Sequence, residues 1–467
     1  MNMRREKDSL GEVLVPEDRY YGAQTQRAID NFRIGNELIP TAFIRSLAVV
    51  KMAAAVVNRN AGALDKDLAE AIAKAAGEVR DGKLDAHFPL VIWQSGSGTQ
   101  TNMNMNEVIA NRANEMLGGD LGSKSPVHPN DHVNMAQSTN DTVPTAMHVA
   151  GLVSVREKLL PAVLSLKEAF DEKANDFKDI VKIGRTHLQD ATPIKLGQEL
   201  SGYSAQLAQA AAGIDAAVEP LSALAIGGTA VGTGLNTVEG YDEKMAREIS
   251  SLTGHEFSAQ PNKYAGMAAH DAIVGLSGAL KVLACALMKI ANDIRWLGSG
   301  PRSGLGEISL PSNEPGSSIM PGKINPTQCE MVIMVACKIY GNDLAIGLAG
   351  SQGNFELNVL KPLLVHLILQ SIDLLTDACT SFREKCISGI TPNEKRIAGL
   401  VDGSLMLVTA LSKHIGYDKA SRIALKAWRE DKTLCEAAVE LQFVTVDEFK
   451  QWVRPEEMTE PDQPGGK

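Results

Sequence analysis

Aromatic residues make up only 4% of this 467-residue chain. That scarcity argues against a β-sandwich, whose pleated faces are filled by aromatic and β-branched side chains. Basic residues are outnumbered, 46 against 56 acidic, for a formal net charge of −10. Nothing concentrates positive charge on the scale that phosphate backbones demand, which argues against nucleic acid as a partner. The six cysteines, Cys285, Cys329, Cys337, Cys379, Cys386 and Cys435, include no Cys-x-x-Cys pair. They read as reduced core thiols in a reducing compartment. No apolar stretch follows Arg4, Arg5 and Lys7, so no secretory signal is expected. The most apolar window, 272–288, is interrupted by Lys281 and is expected to be too short to span a bilayer. The expectation is a soluble, cytoplasmic protein with no membrane partner.

What the chain has in abundance is Ala, Leu, Met and Gly, the composition of helices packed closely through small residues. Ile273, Leu276, Leu280, Leu283, Leu287, Ile290, Ile294 and Leu297 recur in steps of three and four. Leu196, Leu200, Tyr203, Leu207, Ala211, Ile214 and Val218 form a second stripe, and Leu152 to Phe170 a third. Further helices are expected over 42–60, 65–81, 327–348 and 360–385. The fold class is all-α: a long central helical bundle over 138–390, flanked by smaller, mostly helical domains at 1–137 and 391–467. The chain end, from Glu456 to Lys467, reads as a disordered tail.

Polar stretches interrupt this pattern. They are Gly96-Ser97-Gly98-Thr99-Gln100-Thr101-Asn102, then His128-Pro129-Asn130-Asp131-His132 with Gln137-Ser138-Thr139-Asn140-Asp141, then Gly184-Arg185-Thr186-His187-Leu188-Gln189-Asp190, and Gly316 to Pro326 followed by Glu330. All combine hydroxyls, carboxamides and backbone amides beside helix starts, a chemistry suited to small anions. Gly316 to Lys323 nearly spells a phosphate loop, but its glycines are too far apart and Ile324 stands where a magnesium-binding hydroxyl belongs. A metal on His128 and His132 lacks further ligands, and Pro129 disfavours the helix that would align them, so no metal is expected. Ser317 and Ser318 near Lys323 would suit a Ser–Lys hydrolase, yet no Gly-x-Ser-x-Gly elbow is present. A loop serine whose alkoxide is stabilised by Lys and backbone amides would also serve as a base.

Chain geometry adds an expectation about assembly. The second stretch precedes the helix expected over 151–177 and the third follows it; at 1.5 Å per residue they lie about 40 Å apart. If they act together, the site is shared between chains, and the protein is an obligate homo-oligomer.

Over about residues 10–450 the sequence resembles the fumarase/aspartase superfamily, and within it the class II fumarate hydratases. The likeness begins at Tyr20-Tyr21-Gly22-Ala23-Gln24-Thr25-Gln26-Arg27 and includes Gly350-Ser351-Gln352-Gly353-Asn354. Its most specific part is Gly-Ser-Ser-x-Met-Pro-x-Lys-x-Asn-Pro at 316–326. Gly322 and His187 resemble fumarases, where aspartases tend to carry Ala and Gln. The resemblance implies interconversion of fumarate and (S)-malate, a step of the tricarboxylic acid cycle, without metal or organic cofactor. It also implies a homotetramer whose active sites draw on several chains. By the family pattern Ser317 is the base at C3, Lys323 and Asn325 stabilise the developing charge, and His187 with Glu330 handles the C2 hydroxyl. Ser97, Gly98, Thr99, Ser138, Thr139, Asn140, Thr186 and Ser318 would orient the dianion. His128, Pro129, Asn130 and Asp131 would form a second anion site, where Met135 replaces a Lys common in relatives.

Overall fold

The computed structural model describes residues 2–461. A hairpin of β1 (Met3–Asp8) and β2 (Gly11–Pro16) opens the chain and leads into α1 (Ala23–Asn31), α2 (Thr41–Asn60), α3 (Lys66–Arg80) and α4 (Thr99–Met116). There follow α5 (Thr139–Ser154), a wide π-turn at Val155–Leu159, and α6 (Leu160–Asp176). The strands β3 (Val181–Thr186) and β4 (Gln189–Lys195) precede α7 (Leu196–Val218), α8 (Tyr241–Thr253) and α9 (Lys263–Ala268). The long helices α10 (Asp271–Leu297), α11 (Thr327–Gly350) and α12 (Lys361–Lys385) come next, and short helices occupy Glu394 to Trp452. The architecture is mainly helical, and the stripes at 196–218 and 273–297 coincide with α7 and α10. Each ends in buried residues at helical spacing, such as Leu276, Leu280, Leu283 and Leu287, all 1% exposed or less.

The chain folds as two compact units. The first comprises residues up to Ala162, then Ala210–Ala284 and Val335–Asp377. Its centre is α2, packed on α3, α5 and α8. The second comprises Val163–Gln209, Cys285–Met334 and the chain from Ala378 onward. There Leu407, Leu411, Ile423, Ala427, Leu434 and Ala437 form a compact C-terminal core.

Several expectations are corrected. The third polar stretch is a β-hairpin rather than a helix border. The helix expected to begin near 151 begins at Thr139, because Ser138 caps it and Pro144 is accommodated in its second turn. The tail is ordered further than expected: Pro455–Met458 forms a 3-10 turn, Met458 packs on the C-terminal core, and Lys195 pairs with Glu460 at 2.7 Å. Residues 462–467 of that expected tail lie outside the described residues. The window 272–288 lies inside a 27-residue helix, so shortness does not exclude a span. Among the described residues, four helices are long and apolar enough to cross a membrane by length and composition; in α2, 72% of that window is buried against the chain itself.

Candidate active site

The first polar stretch is a tight loop into α4. Gly98, at φ +82°, caps the helix, and a Cβ on Gly96 would lie 1.4 Å from the Val359 carbonyl oxygen. Only glycine allows that approach. Ser97 Oγ lies 2.7 Å from Thr99 Oγ1, and Thr99 lines a cleft of about 660 Å³ with Asp8, Arg27 and Gln100.

The second stretch has two parts. His128 precedes the wide turn Pro129–Val133 in extended conformation, as Pro129 demands. Its Nδ1 accepts from the backbone N–H groups of Asn130 and Asp131, both at 3.2 Å, which leaves Nε2 as the donor. Pro129 is buried, whereas Asn130 and Asp131 are exposed. Ser138 then starts α5 with a capping box: its hydroxyl accepts from Asn140 N at 3.2 Å, and Asp141 Oδ1 accepts from Ser138 N at 3.0 Å. Thr139 Oγ1 accepts from Asn102 Nδ2 at 3.0 Å, which joins the first stretch to the second. Asn140 Nδ2 donates to the Ala230 carbonyl at 2.8 Å.

Asp141 is fully buried, and burial raises its pKa to about 6 against backbone donors that pull it down. Its other oxygen accepts from Gly227 N and Thr229 N, both at 2.9 Å. The polar groups of this region therefore hang on Asp141, which the sequence placed in its polar stretch without a role, and on Lys51 in α2, which sequence reasoning did not single out. The available signal for Lys51 was a lone cation inside an apolar helix.

The third stretch is the turn of the β3–β4 hairpin. Thr186 pairs with Gln189, so His187 and Leu188 alone form the connection, at φ +58° and +60°. Those angles are the type I′ geometry that matches strand twist, here adopted by residues that seldom take it. The result is an exposed Thr186 and an exposed His187 at the tip. The hairpin is anchored beneath by Glu307, 0% exposed, whose carboxylate lies 3.2 Å from Lys182 Nζ and 2.8 Å from Arg185.

The fourth stretch is a cinched loop. Gly316 N donates to the Lys323 carbonyl at 3.0 Å, Asn325 Nδ2 donates to the Gly316 carbonyl, and Lys323 Nζ donates to Asn325 Oδ1. Ser317 Oγ accepts from Met320 N at 2.8 Å and Ile319 N at 3.2 Å. Two backbone donors on one hydroxyl oxygen favour its alkoxide. Ser318, Ile319 and Lys323 are exposed, and Lys323 and Asn325 line a cavity of about 510 Å³ with Arg295 and Asn393. Glu330 is exposed in the first turn of α11, and among the described residues no hydrogen bond or ion pair joins it to His187.

The chain is similar to known proteins over nearly its whole length. The family described as "Lyase" matches residues 11–341, and "Fumarase C C-terminus" matches 407–460. The mitochondrial fumarate hydratase of Rhizopus oryzae is 59% identical over 97% of this chain and 92% of its own length. The class II fumarate hydratase of Thermosynechococcus vestitus is also 59% identical, over 97% of both chains. The crystal structure of the class II fumarase from Schistosoma mansoni superposes with a TM-score of 0.96 at 45% identity, covering 98% of this chain and 99% of that one. The chain that builds this cinched serine loop and histidine-tipped hairpin belongs to the class II fumarate hydratases of the lyase superfamily.

Proposed function

We propose that the protein interconverts (S)-malate with fumarate and water by acid–base chemistry at a site shared between subunits. The observation that carries this is the Ser317 hydroxyl, which accepts two backbone hydrogen bonds inside the loop tied by Lys323 and Asn325. In the dehydration direction the Ser317 alkoxide takes the C3 proton of malate. The C–H electron pair moves into the adjacent carboxylate, and Lys323 and Asn325 stabilise the charge that forms there. The C2 hydroxyl then leaves as water, with its proton supplied through His187, and the carbon–carbon double bond closes. Ser97, Gly98, Thr99, Ser138, Thr139, Asn140, Thr186 and Ser318 orient the two substrate carboxylates. His128, Pro129, Asn130 and Asp131 form an outer anion site, at which His128 Nε2 is the available donor.

His187 and Glu330 act together only if they come from different chains, since among the described residues no hydrogen bond or ion pair joins them within one. The long helices support such an assembly. On α11 the residues Met334, Cys337, Gly341, Leu344 and Leu348 recur in steps of three and four, and all are exposed. Its opposite face, from Val332 through Ala336, Ile339 and Ile346, is buried. A helix apolar on both faces needs a second helix to cover it, and a homotetramer with shared sites supplies one. Among the described residues the cysteines form no disulfide, as in a reducing compartment. The separate family match and self-contained core of 407–444 support the last part of a functional division at 1–137, 138–390 and 391–467.

The test is absorbance of fumarate's conjugated double bond after the protein is mixed with (S)-malate in chelator-containing buffer, beside a reaction with aspartate. Absorbance is expected to rise with malate alone, and Ser317→Ala is expected to lower kcat at least about a hundredfold, the scale of lost general-base catalysis, with assembly intact. A rise with aspartate alone, or wild-type-like rates in Ser317→Ala, would overturn the reading.

A further inference from the structure

Lys51 stands in the middle of α2 between Val50 and Met52, and none of its side chain is exposed. Its ammonium donates to Asn134 Oδ1 at 3.0 Å and Gln137 Oε1 at 2.9 Å. The same Asn134 oxygen also accepts from Asn102 Nδ2 and Asn106 Nδ2, both at 3.1 Å. Asn102 continues to Thr139 Oγ1 at 3.0 Å. Asn134 Nδ2 reaches the Gln137 carbonyl at 3.2 Å, and Gln137 Nε2 donates to the carbonyls of Val133 and Met135 at 3.1 Å each. The segment 134–137 is thus wound around one buried cation.

The acceptors of that cation are neutral amides. Among the described residues no carboxylate lies within salt-bridge distance of Lys51. Asp141 acts on it from further away, and its own oxygens are taken up by Ser138, Gly227 and Thr229. A buried cation without a paired anion is costly, and proteins retain one where its charge is answered. The burial cost is visible in Lys51, whose pKa is drawn down to about 7. The backbone that Lys51 organises runs directly into Ser138, Thr139 and Asn140, the residues that meet a substrate carrying two negative charges.

We infer that Lys51 is a positioning residue for the dicarboxylate: it fixes Ser138 to Asn140 through Asn134, Gln137 and Asn102, and the bound dianion answers its unpaired charge. The inference rests on the proposed hydratase reading and deepens it. A charge inside the protein is poorly screened, so it favours a dianion even without touching it.

Lys51→Met keeps the length and removes the charge. In steady-state dehydration of (S)-malate its KM is expected to rise about tenfold while kcat stays within about threefold, the pattern of lost uniform binding. Inhibition by succinate, a C4 dianion that cannot react, is expected to weaken by the same factor. A KM and a succinate affinity within about twofold of wild type would overturn the inference, as would a fall in kcat at unchanged KM. If Lys51→Met does not assemble, Asn134→Asp decides: it keeps the accepting oxygen and sets a carboxylate against Lys51. A raised KM in that variant supports the inference and an unchanged one overturns it. Wild-type protein silent toward malate and fumarate would instead refute the hydratase reading, which keeps the two failures distinct.

Discussion

His270 is 1% exposed, and neither of its ring nitrogens has a hydrogen-bond partner among the described residues. Burial, helped by the nearby charge of Lys361 and by His148, holds its pKa well below the ordinary value of 6.5. The unfolded chain therefore takes up a proton below 6.5 that the folded chain refuses. The contribution is present above that pH and lost as pH falls through it. Burial lowers His148 and His366 in the same direction. The urea midpoint is expected to fall between pH 7.5 and 5.5, with His270 accounting for roughly 1 kcal/mol. His270→Leu should flatten that fall. Comparing the two proteins cancels the opposite trend from Asp141, whose raised pKa near 6 favours the folded state as pH drops. His270 also shows the limit of reading single residues. Nothing in Ala268-Ala269-His270-Asp271 tells a buried imidazole from a solvated one, because burial is decided by elements remote in sequence.

At the scale of elements, the start of α5 separates two kinds of cost. Ser138→Ala removes one cap bond and is expected to cost about 1 kcal/mol. Asp141→Ala leaves the N–H groups of Ser138, Gly227 and Thr229 without their acceptors, and is expected to cost about 3 kcal/mol or more. Urea denaturation of both variants at pH 7.5 measures the difference, and equal costs would show that Asp141 acts only as a cap. The long helices α7 and α10 were legible because their apolar residues keep one period over many turns. The four polar stretches were legible as breaks in that period. What each break becomes was not. Helix α4 buries Asn102, Asn104, Asn106, Asn111 and Asn114, and carboxamides in a core mask the apolar rhythm that marks a helix. The β3–β4 hairpin has His-Leu where Asn-Gly would announce a two-residue turn.

For the whole molecule, the exposed stripe of α11 carries the strongest expectation. Leu344 and Leu348 are 67% and 62% exposed in the single chain, one turn apart on one face. The double variant Leu344→Glu, Leu348→Glu is expected to sediment as smaller species and to lose malate turnover, although neither residue belongs to the candidate site. A fully active variant of unchanged size would mean that this face is not where copies meet. The helical architecture followed from composition and period, while the exposed apolar face of α11 emerges only from the folded chain.

The two-residue connection between Thr186 and Gln189 has one last consequence. Loops elsewhere on a protein absorb an inserted or deleted residue with little penalty. This one has no slack, because strand pairing fixes both of its neighbours and both of its members are already at positive φ. One added residue would swing the imidazole to another heading, and one lost would leave too few residues to turn the chain. The hairpin therefore sets reach: it fixes how far His187 projects beyond the paired strands. Length variation should be far harder to accommodate here than a change of side chain at Leu188.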